Sequence, residues 1–328
     1  STAKLRTLVN YLEVVAGLHA AHAGQSVADL RKAANQAKDP LRRWAFAYLA
    51  SAADTTLPAA LEAAMNRAYS ASSDEKFFTG GGVHTFVNFK SEDDDKVLTV
   101  REGLRNSVNL VFIRLMRDIV RYYTADTPGY ADGLLEKADH PLRHQYLERF
   151  ADKEGQTFLT EFYKRYRHET PAARMENLID RIRPTPKRLA VIFRSVRPDA
   201  GPDSLAAFLR AHPAGYAITD RLVRDLYDAH APGKFSLADR GYLAGVHPLE
   251  LWLLNYLEAH PEAVWHDAVA ASAQERQDAY AWLFKPSKRE GQDKRIREIL
   301  EEDAFKKIHS AWKRLGYPFD SLVPSYAT

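Results

Sequence analysis

The chain has 328 residues, of which 45% are hydrophobic and 27% are charged, as in an ordinary globular protein. Its net charge of +3 gives no strong basic field, which argues against a nucleic-acid partner. It contains no cysteine, which excludes disulfides and cysteine-based zinc sites, and no apolar run approaches the roughly eighteen residues of a membrane span.

The first predicted helix carries a serine and a lysine three positions apart. Ser1-Thr2-Ala3-Lys4 reads S-x-x-K, and apolar residues from Leu5 to Leu18 recur at helical spacing. That spacing puts Ser1 and Lys4 on one face, about one turn apart. A serine needs a base to take its proton, so we expect Ser1 to be a nucleophile and a neutral Lys4 to be its base. The alternative is that Ser1 only caps the helix.

The next patterns predict two helices and then a less helical stretch. The helices are Leu41–Ala53 and Leu57–Tyr69, and the less helical stretch is Phe77–Leu98. Within it we interpret Thr79–Gly82 as a flexible loop and expect a hairpin-like piece near 83–98. The acidic run Glu92–Asp95 lacks the glycine and terminal glutamate of a calcium loop, so we interpret it as a solvated turn.

A second polar motif falls between a short and a long predicted helix. Thr99–Asn106 is the short helix, Asn109–Tyr123 is the long one, and Ser107-Val108-Asn109 reads S-x-N at their joint. Short polar side chains at such a joint can project into a cleft, where Ser107 would shuttle a proton and Asn109 would hold a substrate amide. The alternative is that Ser107 or Asn109 merely caps the following helix.

Together with the flanking residues, the two motifs carry a family resemblance. The run 86–115, with Asn88-Phe89, Thr99–Leu104 and the S-x-N triplet, resembles the transpeptidase domain of class A penicillin-binding proteins. The opening STAKLRTLVNYLE resembles the nucleophile helix of that family. The closing Leu315–Pro318 and Leu322–Ala327 resemble the segment that follows its S-x-N helix.

The resemblance implies a serine acyl transfer without a cofactor. Ser1 would be the acylated nucleophile, Lys4 its base, and Ser107 with Asn109 the second-motif pair. The implied substrate is the D-Ala-D-Ala end of a peptidoglycan stem peptide. Its acyl group would pass through the serine to the amine of a neighbouring peptide. β-Lactams would react with the serine in place of this substrate. The implied location is the periplasmic face of the bacterial inner membrane, with the anchor outside this chain.

One element of the family pattern is missing. No K-T-G or K-S-G triplet follows Ser107, although in the family this third motif recognises the substrate carboxylate and helps to build the oxyanion hole. We therefore expect a segment of a larger protein that acylates poorly on its own. The alternative is a non-catalytic helical interaction module in a cell-envelope protein. A β-lactamase-like hydrolase is a third reading, which the absence of a recognisable deacylating glutamate motif disfavours.

The rest of the chain predicts helices broken by prolines. Residues 125–310 read as a helical insertion between transpeptidase-like segments at 1–124 and 311–328, and any partner of the insertion is expected to be a cell-envelope protein. Its helices include Leu142–Ala151 and Gly155–Tyr166, and many of its prolines are expected to start helices. The predicted fold is mainly α: the helical portion of a penicillin-binding α+β domain, with the main sheet largely absent.

Four histidines of this region precede proline and could suggest a metal site. They are His140, His212, His247 and His260. A metal would need them gathered in space with carboxylates. Helix-start chemistry is the simpler interpretation, and we predict no metal and no cofactor.

Overall fold

The computed structural model describes residues 2–79 and 82–314, and it divides into two compact units. One unit combines the residues up to Arg143 with those from Ile296 onward, and the other is His144–Arg295. Helices make up 69% of the structure and strands 3%, which confirms the predicted mainly α fold.

The first unit contains the two motifs. Its helices are α1 (Thr2–His22), α2 (Val27–Gln36), α3 (Pro40–Ser51), α4 (Leu57–Met65), α5 (Val100–Arg105) and α6 (Asn109–Ala125), joined by the C-terminal part of α16 (Arg289–Arg314). Helix α1 packs against α3, α4 and α6, and α5 packs against α6. This arrangement brings the helix that carries Lys4 beside the helix that begins at Asn109.

An apolar core fixes α1, α3, α6 and α16 to one another. Its fully buried side chains include Tyr11, Leu41, Leu115, Met116, Ile119 and Trp312. A buried polar cluster lies in the same core: Arg67 Nη2 donates to Asp118 Oδ2 at 3.2 Å, and Tyr69 OH donates to the same oxygen at 2.9 Å. Because a buried carboxylate without partners is costly, these two donors compensate its burial.

Two small antiparallel sheets correct the predicted boundaries near the second motif. Strand β1 (Ala68–Ser70) pairs with β4 (Val97–Thr99), and β2 (Lys76–Thr79) pairs with β3 (Gly82–Thr85). The hairpin is therefore 76–85, and the prediction of 83–98 was wrong. The helix predicted to reach Tyr69 ends at Met65, because Tyr69 instead pairs with Leu98 across β1 and β4.

The second unit is entirely helical over its described residues. It comprises most of α7 (Leu142–Tyr166), then α8 (Pro171–Asp180), α9 (Pro186–Val196), α10 (Pro202–Ala211), α11 (Asp220–Ala229), α12 (Leu237–Ala244), α13 (Pro248–Ala259), α14 (Trp265–Ala271) and α15 (Ala273–Ala279). Helices α8, α9, α10 and α13 begin at prolines, as predicted, because proline fixes a helical φ and its missing N–H is no loss in the first turn.

One predicted break in this unit does not exist. The two helices expected at Leu142–Ala151 and Gly155–Tyr166 are a single helix, α7. Gly155 gives a close approach instead, since a Cβ there would lie 2.8 Å from Arg276 Cγ. Arg276 in turn pairs with Asp152 on the same helix at 2.7 Å. A glycine inside a helix can make room for a side chain of a neighbouring helix, and a glycine can also mark a helix end. The local sequence is the same in both cases, so it did not distinguish them at Gly155.

Some predictions concern residues outside the described part. These are Ser1, Gly80-Gly81 of the predicted loop, and the closing segment 315–328, which includes most of the predicted return at 311–328. The predicted boundaries of the insertion were 125 and 310, whereas the second compact unit begins after Arg143 and ends before Ile296. Among the described helices, none is both long enough and apolar enough to cross a membrane.

Candidate active site

Lys4 is a buried amine that contacts the second motif. Its side chain lies in the first turn of α1, the residue is 6% exposed, and its Nζ donates a hydrogen bond to Ser107 Oγ at 3.3 Å. Burial lowers the pKa of the Lys4 ammonium below its ordinary value, because the charged form loses hydration. In the described part of the chain no carboxylate forms an ion pair with it. Burial and the absence of such an ion pair both make the charged form of Lys4 less favourable than it is for an exposed lysine.

Ser107 lies where α5 ends, in a backbone conformation that usually selects glycine. Its φ is +56°, its N–H donates to Leu104 O at 3.1 Å, and the next N–H, of Val108, donates to Gly103 O at 2.9 Å. This pair of bonds is the Schellman motif, which commonly has glycine at the position that Ser107 occupies. A serine in this strained position turns its hydroxyl toward Lys4, and observed strain of this kind is a pointer to function.

Asn88 fixes the beginning of α6. Its Oδ1 accepts a hydrogen bond from Leu110 N at 3.0 Å, which satisfies one of the free N–H groups at the helix start. Its Nδ2 donates to Ala71 O and to Asp94 Oδ1, both at 2.8 Å. Because all of these partners lie on different segments, Asn88 holds the joint between α5 and α6 in position. In the sequence, Asn88 is recognisable only as half of the asparagine–aromatic pair Asn88-Phe89.

Asn109 contacts the segment that follows β3. Asn109 Nδ2 donates to Val87 O at 3.2 Å. Its side-chain oxygen accepts no hydrogen bond from the described residues, which leaves it available to a ligand N–H. Phe89, two residues after Val87, has a side chain that is 93% exposed.

These side chains line one cavity of about 320 Å³. Lys4, Ser107 and Asn109 all contribute to its surface, together with Phe89 and Lys90. Its volume is within the range of small-ligand sites. The cavity thus offers a buried amine, a hydroxyl that can relay a proton and an amide that can bind a peptide group.

The acidic run beside the cavity is structural in part. Asp93 is only 8% exposed and its Oδ1 accepts a hydrogen bond from Lys96 Nζ at 2.7 Å. Asp94 accepts the Asn88 hydrogen bond described above. The prediction of a solvated turn was therefore wrong for these two residues. Glu92 and Asp95 are exposed.

The structure thus brings together three of the four predicted site residues. Lys4 and Ser107 are in direct contact, and Asn109 lines the same cavity. Ser1 lies outside the described residues. The positive φ of Ser107 could not be predicted from the sequence. Glycine is the residue that readily adopts this conformation, and position 107 is a serine.

The four histidines that precede proline serve helix ends. His140 Nδ1 and His247 Nδ1 accept the N–H groups of Leu142 and Leu249, each at 3.2 Å. His212 and His260 instead lie at the C-termini of α10 and α13. Helix-start chemistry therefore describes two of the four. Over the described residues, no group of three or more histidine or acidic side chains is arranged to hold a metal ion.

No protein-family model matches the chain, and no significant match is found among curated proteins or among solved structures. The resemblance to class A penicillin-binding proteins thus rests on the motif residues quoted above.

Proposed function

We propose that this chain contributes the acylating site of a serine transpeptidase of the penicillin-binding type, with Ser1 as nucleophile and Lys4 as its base. The observation that supports it is the 3.3 Å contact between Lys4 Nζ and Ser107 Oγ, which joins residues 103 positions apart. The two motifs were identified separately in the sequence, and a chance pair would have no reason to meet in a cavity.

The proposed reaction begins with proton transfer from Ser1 to neutral Lys4. Ser1 Oγ then attacks the carbonyl carbon of the D-Ala-D-Ala peptide bond, and a tetrahedral intermediate forms. The proton held by Lys4 passes through the Ser107 hydroxyl to the leaving amine, the C–N bond breaks, and an ester remains on Ser1. The amine of a neighbouring stem peptide displaces this ester and yields the cross-link. A β-lactam would form the same ester without rapid release.

Asn109 is assigned the substrate peptide group. Its Nδ2 is anchored on Val87 O, so its free Oδ1 is oriented and can accept a substrate N–H. The second cation of the cavity, Lys90, is exposed and lies 3.9 Å from Glu92. No K-T-G triplet follows Ser107 in this sequence, so Ser1, Lys4, Ser107 and Asn109 are the residues assigned to the reaction. The proposed location is the periplasmic face of the inner membrane.

The test is labelling of the complete gene product that contains this sequence by a fluorescent penicillin. We expect Ser1→Ala and Lys4→Met to abolish covalent labelling, because one removes the attacking oxygen and the other the base. Lys32→Met changes an exposed lysine of α2 and serves as the matched control, with unchanged labelling. Circular dichroism of each variant would show that the fold is retained. Equal labelling of Ser1→Ala and the wild type would overturn the proposal.

A second candidate function follows from the missing triplet. In this alternative the chain is a non-catalytic helical module that retains the motif residues and binds a cell-envelope protein. The complete gene product would then show no labelling by any β-lactam, although Lys4 and Ser107 would still contact each other. The wild-type arm of the labelling experiment therefore separates the two candidates.

A further inference from the structure

A second cavity, of about 410 Å³, lies within the first unit between α6 and α16. Its base is apolar and includes Phe77, Val120 and Leu135. None of its lining residues contributes to the cavity at Lys4. Its volume is typical of a small-molecule site, in which an apolar surface combines with a few polar groups.

Arginines dominate the polar surface of this cavity. Arg121 of α6 and Arg297 of α16 both line it and both are exposed. Over the described residues neither guanidinium has an ion pair or a side-chain hydrogen bond. Unpaired guanidinium groups that converge on one cavity offer planar, bidentate donors to a carboxylate or a phosphate.

Glu75, one of the two carboxylates that line the cavity, is already paired with arginines. Glu75 forms ion pairs with both Arg114, at 3.0 Å, and Arg117. Burial works against ionisation of Glu75, but these two arginines outweigh it and hold its pKa below the ordinary value. The charged lining residues are the carboxylates Glu75 and Glu301 and the cations Lys76, Arg117, Arg121 and Arg297. Cations therefore outnumber carboxylates by four to two, and Arg121 and Arg297 supply the positive surplus.

Two hydroxyl groups add neutral donors. Thr124 and Tyr130 line the cavity, and neither side-chain hydroxyl has a hydrogen-bond partner among the described residues. Each can donate to an anion that the guanidinium groups attract, or bind a polar substituent beside it. The cavity therefore combines positive charge, free donors and an apolar base.

We infer that this cavity binds a small organic anion, whose carboxylate or phosphate lies between Arg121 and Arg297 and whose apolar body covers Phe77 and Val120. A cation does not suit a cavity with this charge surplus. An inorganic ion alone would leave the apolar base uncovered. The inference is independent of the acyl-transfer proposal, because the two cavities share no residue.

Isothermal titration calorimetry of the complete chain tests the inference with four probes: 2-naphthoate, 1-naphthyl phosphate, 2-naphthamide and inorganic phosphate. We expect saturable binding of at least one aromatic anion, and binding of the amide and of inorganic phosphate at least tenfold weaker. The stronger of the two aromatic anions identifies the preferred head group. Binding of the amide or of inorganic phosphate with equal affinity, or no binding of either aromatic anion, would overturn the inference.

Single substitutions then locate the site. Arg121→Gln and Arg297→Gln should each lower the affinity for the aromatic anion by roughly threefold to tenfold, because each substitution removes a charged donor. Arg31→Gln is the matched control, since Arg31 is an exposed and unpaired arginine of α2 that does not line the cavity. All three positions are exposed, so the variants are expected to fold. Equal affinity in Arg121→Gln, Arg297→Gln and Arg31→Gln would place binding elsewhere and contradict the inference.

Discussion

Asn88 and Leu110 are joined by a hydrogen bond of 3.0 Å from the backbone N–H at the start of α6 to the side-chain oxygen of Asn88. The amide of the same side chain donates to two acceptors, Ala71 O and Asp94 Oδ1. One buried residue thus connects the start of α6 to the residue that follows β1 and to the acidic turn, and it helps to set where Asn109 lies.

Asn88→Asp should destabilise the protein. The substitution replaces a donor by a second carboxylate beside Asp94 and Ala71 O, so we expect a loss of roughly 2–4 kcal/mol in the free energy of unfolding. Urea denaturation measures it. Asn35→Asp changes an exposed asparagine of α2 and should cost less than about 1 kcal/mol. Similar losses in the two variants would show that Asn88 does not hold the joint.

Ser107→Gly and Ser107→Ala should differ in stability although both remove the same hydroxyl. Glycine adopts the positive φ of Ser107 without strain, whereas alanine, like serine, has a strain energy of about 1–2 kcal/mol in this conformation. We therefore expect the glycine variant to be the more stable of the two by about 1 kcal/mol in urea denaturation. Equal stability would mean that residue 107 is not held in the left-handed region.

Gly103→Ala and Gly17→Ala should change stability in opposite directions. A Cβ at Gly103 would lie 2.7 Å from Cγ1 of the fully buried Val111, while a Cβ at Gly17 would meet nothing within 4 Å. Alanine at position 17 should stabilise α1 by about 1 kcal/mol, and alanine at position 103 should destabilise by roughly 1–2 kcal/mol.

The double variant Gly103→Ala/Val111→Ala supplies the control for this clash. It should be at least as stable as Val111→Ala alone, because the smaller side chain makes room for the new methyl group. If Gly103→Ala were stabilising in the wild-type background, the close packing of α5 on α6 would be refuted.

His247 should make the stability of the second unit depend on pH. Burial against Phe158 and Phe162 lowers the pKa of His247 to about 4, and the nearby Glu250 carboxylate only partly offsets this. In the unfolded chain the pKa is about 6.5. Between pH 4 and pH 6.5 the unfolded state therefore binds more protons than the folded state. The stabilisation that depends on neutral His247 is fully present above pH 6.5 and is lost as the pH falls toward 4.

The comparison uses His247→Asn, which retains an acceptor for Leu249 N but does not titrate. Between pH 7 and pH 4.5 the wild type should lose about 2 kcal/mol more than this variant in the free energy of unfolding. His266→Asn removes an exposed histidine of α14 and should follow the wild-type curve. Parallel curves for His247→Asn and the wild type would contradict a buried neutral imidazole.

The sequence predicted helices where the apolar period was long and regular. The prediction Asn109–Tyr123 became α6 (Asn109–Ala125), and the proline signals correctly marked the starts of α8, α9, α10 and α13. Boundaries failed where a tertiary contact decided them. Tyr69 joined a strand whose partner is 29 positions away at Leu98, and Gly155 admitted Arg276 instead of ending a helix.

The candidate site was predictable as residue types but not as an arrangement. The S-x-x-K and S-x-N spacings identified Lys4, Ser107 and Asn109, and the structure brings them to one cavity. Two features had no local signal: the positive φ of Ser107 and the three hydrogen bonds of Asn88. The first belongs to a local helix end at which serine stands in place of the usual glycine, and the second depends on how separate segments of the chain meet. The cavity of Arg121 and Arg297 could not be predicted from the sequence, since its two arginines are far apart along the chain, on α6 and on α16.

The most direct measurement is to locate the adduct after the complete gene product has reacted with benzylpenicillin. Peptide mass spectrometry identifies the modified residue, with Lys4→Met and Lys32→Met treated in parallel. The account predicts one penicilloyl group on Ser1 in the wild type and in Lys32→Met, and none in Lys4→Met. An adduct on any other residue, or an unmodified Ser1 in the wild type, would contradict acyl transfer by Ser1 and Lys4.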